Sequence, residues 1–235
     1  MEFVYMAREG GKMIDFVAFY FITCKYPARC IIGHNKFSVK IRGIYCGGKG
    51  MDRETLDMFS LAVETASIAH QTQTRKGNGT PYITHSFTVG MMLLEAGCSS
   101  EIVVAGILHD TIEDTSITYE DIKHTFGTEV ARIVKECSEH DKSKSWEERK
   151  QHTLDNIAKI SLEACMVVCA DKLHNIRSTA KDFDRIGAVV WAKFNRGREQ
   201  QEWYYRGLVE ALGKRAQTFS LYKMLKEEVE ELFAK

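Results

Sequence analysis

From Met51 onward, apolar side chains return every three or four positions, the spacing that gathers them on one face of an α-helix. Leu56, Phe59, Leu61, Ala62, Ala66 and Ile68 predict a helix over 52–71. The polar stretch TQTRKGNGTPY at 72–82 predicts a turn, and Val89, Met91, Met92, Leu93 and Leu94 mark a second helix over 84–96 that Gly97 closes. Ser99 or Ser100 caps a third helix, IVVAGILHDTIED, with Glu101 in its first turn. Thr118 and Asp121 form a capping box for a short helix that Gly127 ends. A helix over 128–139 follows, with Val130, Ile133 and Val134 inward. Residues 140–151 are almost wholly polar and predict an exposed turn leading into a charged helix. Ser161 caps a long helix through 161–180, and amphipathic patterns continue over 198–213 and 216–234. About eight helices are expected in an all-α domain spanning 51–235.

Residues 1–50 have another character, rich in Gly, aromatic and β-branched residues, and FVAFYFITC and KFSVKIRGIYC read as short strands. The sequence GGKG at 47–50, followed by Met51, marks a boundary. Either 1–50 is a short irregular or β-rich extension, or Met51 is the physiological start and the extension is not part of the native product. GGKG lacks the spacing and the following Ser or Thr of a phosphate-binding loop.

Composition narrows the function classes. The 235 residues are 44% hydrophobic and 27% charged, enough apolar material for a packed core. Lys plus Arg and Asp plus Glu both number 32, so no net field draws the chain to nucleic acid, although a local basic cluster can still hold a small anion. No apolar run is long enough for a membrane span or ordered like a signal peptide. The seven cysteines have irregular spacing with no CxxC pair, which fits free thiols in a reducing cytoplasm. Cys165 and Cys169 share a helix face and are expected to be buried thiols.

Chemistry concentrates where apolar runs stop. His109 and Asp110 follow the core segment IVVAGIL, where adjacent ionisable groups are costly unless paired or metal-bound. Glu113 and Asp114 lie four residues after His109 and Asp110, on the same side if the turn stays helical, where they can act on a water. His85 follows the polar turn, and Asp171 ends the apolar run ACMVVCA, with Asn175 four residues on. Two imidazoles and two carboxylates make a mixed set open to Mn²⁺, Fe²⁺, Zn²⁺ or Mg²⁺. Arg75, Lys76, Arg149, Lys150, Lys172 and Arg177 can gather around a phosphorylated substrate, or can each be a solvated surface charge.

The segments AHQTQTRKGNGTPYITH, AGILHDTIEDTSITYEDIKHTFGTEVARIV and CADKLHNIR resemble the HD-domain superfamily, and within it the small RelA/SpoT-type alarmone hydrolases, over about residues 52–180. The resemblance implies an HD-type helical bundle and Mn²⁺-dependent removal of the 3′-pyrophosphate of guanosine tetraphosphate or pentaphosphate. It implies metal ligation by His85, His109, Asp110 and Asp171, and water activation and orientation by Glu113 and Asp114. It places Arg75 or Lys76 at the base, Tyr82 in the substrate-facing turn, Asn175 near the ribose, and Lys172 and Arg177 at the phosphates. The implied partner is a small nucleotide, with no nucleic acid, membrane or obligate protein partner. Two further readings remain: an HD nucleotidase or phosphodiesterase acting on another nucleotide, and a non-catalytic metal-binding interaction module. The chain departs from the family at Ser86, where a proline is usual, at KECSEHDKSKS over 135–145, and in a turn one residue longer between Arg75 and His85. FNRGREQQEWYYRGLVEAL resembles small uncharacterised HD proteins more than the alarmone enzymes.

Overall fold

The structure is a computed structural model that describes residues 51–76, 79–139 and 143–235, and before them the backbone of four short strands. The chain divides into two compact units, Met1–Lys49 and Gly50–Lys235. In the first, β1 (Tyr5–Glu9) pairs antiparallel with β2 (Lys12–Phe16), Tyr5 opposite Phe16, and β3 (Ile31–Ile32) with β4 (Asn35–Lys36). Apart from their first residues, Phe16 and Lys36, the two strands expected at FVAFYFITC and KFSVKIRGIYC lie outside the described residues.

The second unit is all helical apart from one isolated bridge, Thr74 to Pro81. Its α-helices are α1 (Arg53–Ala69), α2 (Ile83–Glu95), α3 (Ser100–Leu108), α4 (Thr111–Asp114), α5 (Tyr119–Phe126), α6 (Thr128–Cys137), α7 (Trp146–Asn156), α8 (Leu162–Ile186), α9 (Arg198–Ala216) and α10 (Ser220–Ala234). A 3₁₀ segment, Gly187–Lys193, joins α8 to α9. Ten α-helices among the described residues exceed the expected eight, partly because IVVAGILHDTIED does not run as one helix. The His109 ring donates from Nδ1 to the Gly106 carbonyl at 2.8 Å, and Thr111 Oγ1 donates to the Leu108 carbonyl at 2.7 Å. Side chains thus take carbonyls that a continuing helix would use, and the chain restarts after Asp110. Helix α8 runs past the expected residue 180 to Ile186, where Gly187 at φ 64° ends it.

Local signals explain most ends. Beyond α2, the amide of Gly97, at φ 77°, donates to the Leu94 carbonyl and that of Cys98 to the Leu93 carbonyl, a Schellman closure. The Thr118–Asp121 box forms with both bonds, and Ser145 with Glu148 builds a second one at the start of α7. Ser99 occupies the cap of α3 without a side-chain cap bond.

The central layer is α2, α3 and α8, whose apolar residues Val89, Leu93, Val104, Leu108, Val167 and Leu173 are buried. Two glycines let α2 and α3 approach closely. A Cβ on Gly90 would lie 2.4 Å from Ile107 Cγ1, and one on Gly106 would lie 2.3 Å from Leu93 Cδ1. That contact fixes His85, in the first turn of α2, relative to His109, at the end of α3.

Candidate metal centre and nucleotide site

Four helices converge their polar residues at one point. His85 comes from α2, His109 from the end of α3, Asp110 from the start of α4, and Asp171 from the buried middle of α8. His85, His109 and Asp171 each offer a ligand atom within 4.8 Å of the others. His85 Nε2 lies 3.2 Å from Asp171 Oδ1 and 3.7 Å from Asp110 Oδ2. His109 Nε2 lies 2.9 Å from Asp110 Oδ2 and 3.8 Å from Asp171 Oδ1. Both Nε2 atoms are fully buried, yet neither makes a hydrogen bond.

The surroundings prepare both rings as ligands. In the neutral ring, the bond from His109 Nδ1 to Gly106 puts the lone pair on Nε2. His85 Nδ1 sits 2.6 Å from His174 Nδ1, so the same division of roles holds if His85 carries that proton. Burial holds the His85 pKa below its ordinary value. At His109 burial also opposes charge, but Asp110 and then Asp171 outweigh it and carry the pKa up to about 9. Asp110 stays below the usual carboxylate range despite its burial because His109 adjoins it, and Asp171 does so because Lys172 does. The pocket therefore selects for positive charge, and two buried, unbonded imidazole nitrogens facing carboxylates fit a divalent ion.

Around this centre the other expected residues separate into two groups. The polar turn folds back on itself, with the Arg75 amide on the Thr80 carbonyl at 2.8 Å and the Tyr82 amide on the Gln73 carbonyl at 2.9 Å. Tyr82 then donates its hydroxyl to Asp110 Oδ2 at 2.5 Å. Arg75 NH2 donates to Asn175 Oδ1 at 2.8 Å, and its guanidinium lies 5.8 Å from the Tyr82 ring centre. Asn175 Nδ2 donates to Asp171 Oδ1 at 2.5 Å, and Lys172 Nζ pairs with Asp171 Oδ2 at 2.7 Å. Lys76 is exposed. Arg177 is not brought to the centre either. Six residues beyond Asp171, it lies on another face of α8 and pairs with Glu228 of α10 at 2.7 Å.

Glu113 and Asp114 sit one turn beyond His109 and Asp110, and the Asp114 amide donates to the Asp110 carbonyl at 2.9 Å, so that turn is helical. Glu113 is half-buried and accepts the Glu139 amide at 2.9 Å. Burial pushes its carboxyl up, against that amide. Gln73 Nε2 donates to the Asp114 carbonyl at 2.7 Å, while Gln73 Oε1 meets His70 Nδ1 at 2.9 Å.

His70, Gln73, His174 and Glu139 escaped the reading of the sequence. His174, inside DKLHNIR and three residues after Asp171, carried a usable signal, since the two share a helix face. His70 and Gln73 lie beside Arg75 in AHQTQTRK, but their reach to Asp114 depends on the turn closing. Ser86 is wholly buried with its hydroxyl unpaired, so nothing at this position uses the polar atom that replaces the family's proline. Cys165 and Cys169 are buried free thiols, and no helix among the described residues is long and apolar enough to cross a membrane.

Comparison with known proteins identifies relatives of the chain. An HD domain family model matches residues 62–201, so the likeness extends past residue 180 into the start of α9. The guanosine-3′,5′-bis(diphosphate) 3′-pyrophosphohydrolase MESH1 of Mus musculus is 35% identical over 170 residues, 71% of this chain and 92% of its own length. The bifunctional (p)ppGpp synthase/hydrolase SpoT of Escherichia coli is 37% identical over 134 residues, 54% of this chain and 19% of SpoT. Among solved structures, a metazoan ortholog of SpoT, described as hydrolysing ppGpp, superposes with a TM-score of 0.61 at 27% identity, covering 80% of this chain and 97% of that one. This chain belongs to the HD domain family.

Proposed function

We propose that this chain is a metal-dependent pyrophosphohydrolase that removes the 3′-pyrophosphate of guanosine tetraphosphate or pentaphosphate, leaving GDP or GTP. The observation that carries the reading is the pair of buried, unbonded Nε2 atoms of His85 and His109 facing Asp110 and Asp171. It occurs in a chain aligned with nearly the whole of a named 3′-pyrophosphohydrolase. We assign His85, His109, Asp110 and Asp171 as ligands of one divalent ion, Mn²⁺. When bound, such an ion polarises a phosphoryl group and lowers the pKa of water.

The chain's own groups supply the rest. In the reaction a water oxygen bonds to the phosphorus carried by O3′, the P–O3′ bond breaks with its electron pair going to O3′, which takes a proton from solvent to become the 3′-hydroxyl, and the attacked phosphorus departs in pyrophosphate. Glu113 takes the proton of that water, and Asp114 orients it. The Glu139 amide holds Glu113 in place. Arg75 packs its plane against the base, Tyr82 and Asn175 line the nucleoside, and Lys172 offsets phosphate charge. The substrate is a free nucleotide, and no nucleic acid or obligate protein partner is required. We place the enzyme in a reducing cytoplasm, where buried thiols such as Cys165 and Cys169 stay free.

The test is a substrate panel with Mn²⁺, Mg²⁺ or Zn²⁺: guanosine tetraphosphate, its adenosine analogue, deoxynucleoside monophosphates, NADPH and cyclic dinucleotides. Pyrophosphate release from the guanosine compound at the highest kcat/KM is expected. Asp110→Ala should lose metal and turnover together, whereas Glu113→Gln should keep the metal and lose about a hundredfold or more in kcat. Preferential release of inorganic phosphate from monophosphates would instead identify a nucleotidase.

A further inference from the structure

Beyond Glu113, three donors converge on one carboxylate. Glu139 receives Lys150 Nζ at 2.5 Å, Arg149 Nη1 at 3.2 Å and Thr153 Oγ1 at 3.2 Å, a hydroxyl it shares with the Arg149 carbonyl at 3.1 Å. The side chains of Glu139, Lys150 and Arg149 are only 16%, 17% and 25% exposed, so this is not a solvated surface pair. Two cations and a hydroxyl around a single anion form the donor set that proteins use for a phosphate. The set is also not used up. Arg149 Nε is buried without a hydrogen-bond partner, and so is the hydroxyl of Tyr204, itself only 4% exposed, whose ring lies 5.1 Å from Lys150 Nζ. Among the described residues Glu139 is the one carboxylate paired with Arg149 and Lys150, so a single charge on two oxygens faces two cations. A phosphate brings more oxygens and more charge, and so suits what Glu139 leaves unspent.

The place is adjacent to the chemistry. The backbone amide of Glu139 holds Glu113, while its side chain faces Lys150, and the charge of Lys172, which pairs with Asp171, also reaches it. The amide bond to Glu113 needs no particular side chain at position 139, so the carboxylate has a separate role.

We propose that Arg149, Lys150 and Thr153 form an anion subsite for a phosphate group of the nucleotide, and that the carboxylate of Glu139 occupies it as an internal competitor. Glu139 is thereby a specificity-determining residue, setting how strongly the site favours more highly phosphorylated substrates. The substrate half of this statement rests on the reading under Proposed function; the anion subsite itself does not.

The experiment measures inorganic pyrophosphate binding to the metal-free full-length chain by calorimetry, and then KM for guanosine tetraphosphate and pentaphosphate with Mn²⁺. Glu139→Gln keeps the size of the side chain and removes the competing charge. It should tighten pyrophosphate about tenfold and lower KM more for the pentaphosphate than for the tetraphosphate. Lys150→Ala, alone or combined with Glu139→Gln, should weaken pyrophosphate and abolish the gain. Unchanged or weaker pyrophosphate binding in Glu139→Gln would overturn the subsite. If that variant does not fold, unchanged pyrophosphate affinity in Lys150→Ala would overturn it equally. Tighter pyrophosphate binding in a protein that fails to hydrolyse either guanosine compound would leave the subsite standing and remove the alarmone reading alone.

Discussion

His85 and His174, 89 residues apart in sequence, meet Nδ1 to Nδ1 at 2.6 Å, so one imidazole must donate to the other. Burial and then the neighbouring His85 press the His174 pKa down to about 4, so its ring is neutral near pH 7 and able to accept. For His85 to present a lone pair on Nε2 to Asp110 and Asp171, its proton must sit on Nδ1 with His174 as the acceptor. Partners of this kind fix ring orientation and raise ligand basicity. His174→Phe should lower divalent-ion affinity about 10- to 100-fold, measured by competition with a chelator, while His174→Gln, which keeps an acceptor, should lose less. Equal affinity in His174→Phe and the parent would show that the second ring does not orient the first.

A second prediction concerns the join between α6 and α8. Glu136 Oε2 accepts the Ser161 amide at 2.9 Å and its hydroxyl at 2.5 Å, and Glu136 Oε1 takes Arg132 NH1 at 2.8 Å. The same Ser161 hydroxyl caps α8 through the Ala164 amide at 3.2 Å. Burial opposes ionisation of Glu136, yet Ser161 and Arg132 outweigh it and hold the carboxyl below the ordinary 4.5. The folded pKa is depressed, so the stabilisation is complete above the unfolded value and fades as pH falls through the folded one. Glu136→Gln should cost about 1 kcal/mol near neutral pH, a figure discounted because the carboxylate is partly solvated. Urea titrations from about pH 7 to about pH 4 should show the gap between parent and variant narrowing. A gap that stays constant would assign the loss to shape instead of charge.

The break at His109 and Asp110 was not legible in the sequence, since it depends on His109 and Thr111 side chains capturing carbonyls of their own helix. Nor was the crossing of α2 and α3 at Gly90 and Gly106, because a glycine in a helical pattern does not name the side chain that fills its space. Arg149 and Lys150 read as free basic residues, and Arg177 as a pocket residue, because sequence separation hides Glu139 and Glu228. Helical phase places a residue on a face, but which neighbour covers that face is a tertiary fact.

The two adjacent basic residues of the turn offer the sharpest contrast. Arg75 and Lys76 are equivalent in composition and both precede the glycine-containing loop. The turn that holds them is closed by bonds from Arg75 to Thr80 and from Tyr82 to Gln73. Arg75 reaches Asn175 at 2.8 Å beside the Tyr82 ring, and Asn175 in turn holds Asp171, whereas Lys76 is exposed. We therefore propose two tasks for Arg75, offering a flat cationic surface to the base and fixing the amide that orients a proposed metal ligand. Arg75→Ala should raise KM for guanosine tetraphosphate about tenfold or more, with a smaller fall in kcat through Asn175. Arg75→Lys should recover little, because an ammonium has neither the plane nor the fork of a guanidinium. Lys76→Ala should change KM by less than about twofold, as for a solvated charge. Steady-state kinetics of the three variants decide the matter, and a larger KM effect from Lys76→Ala than from Arg75→Ala would reverse the assignment.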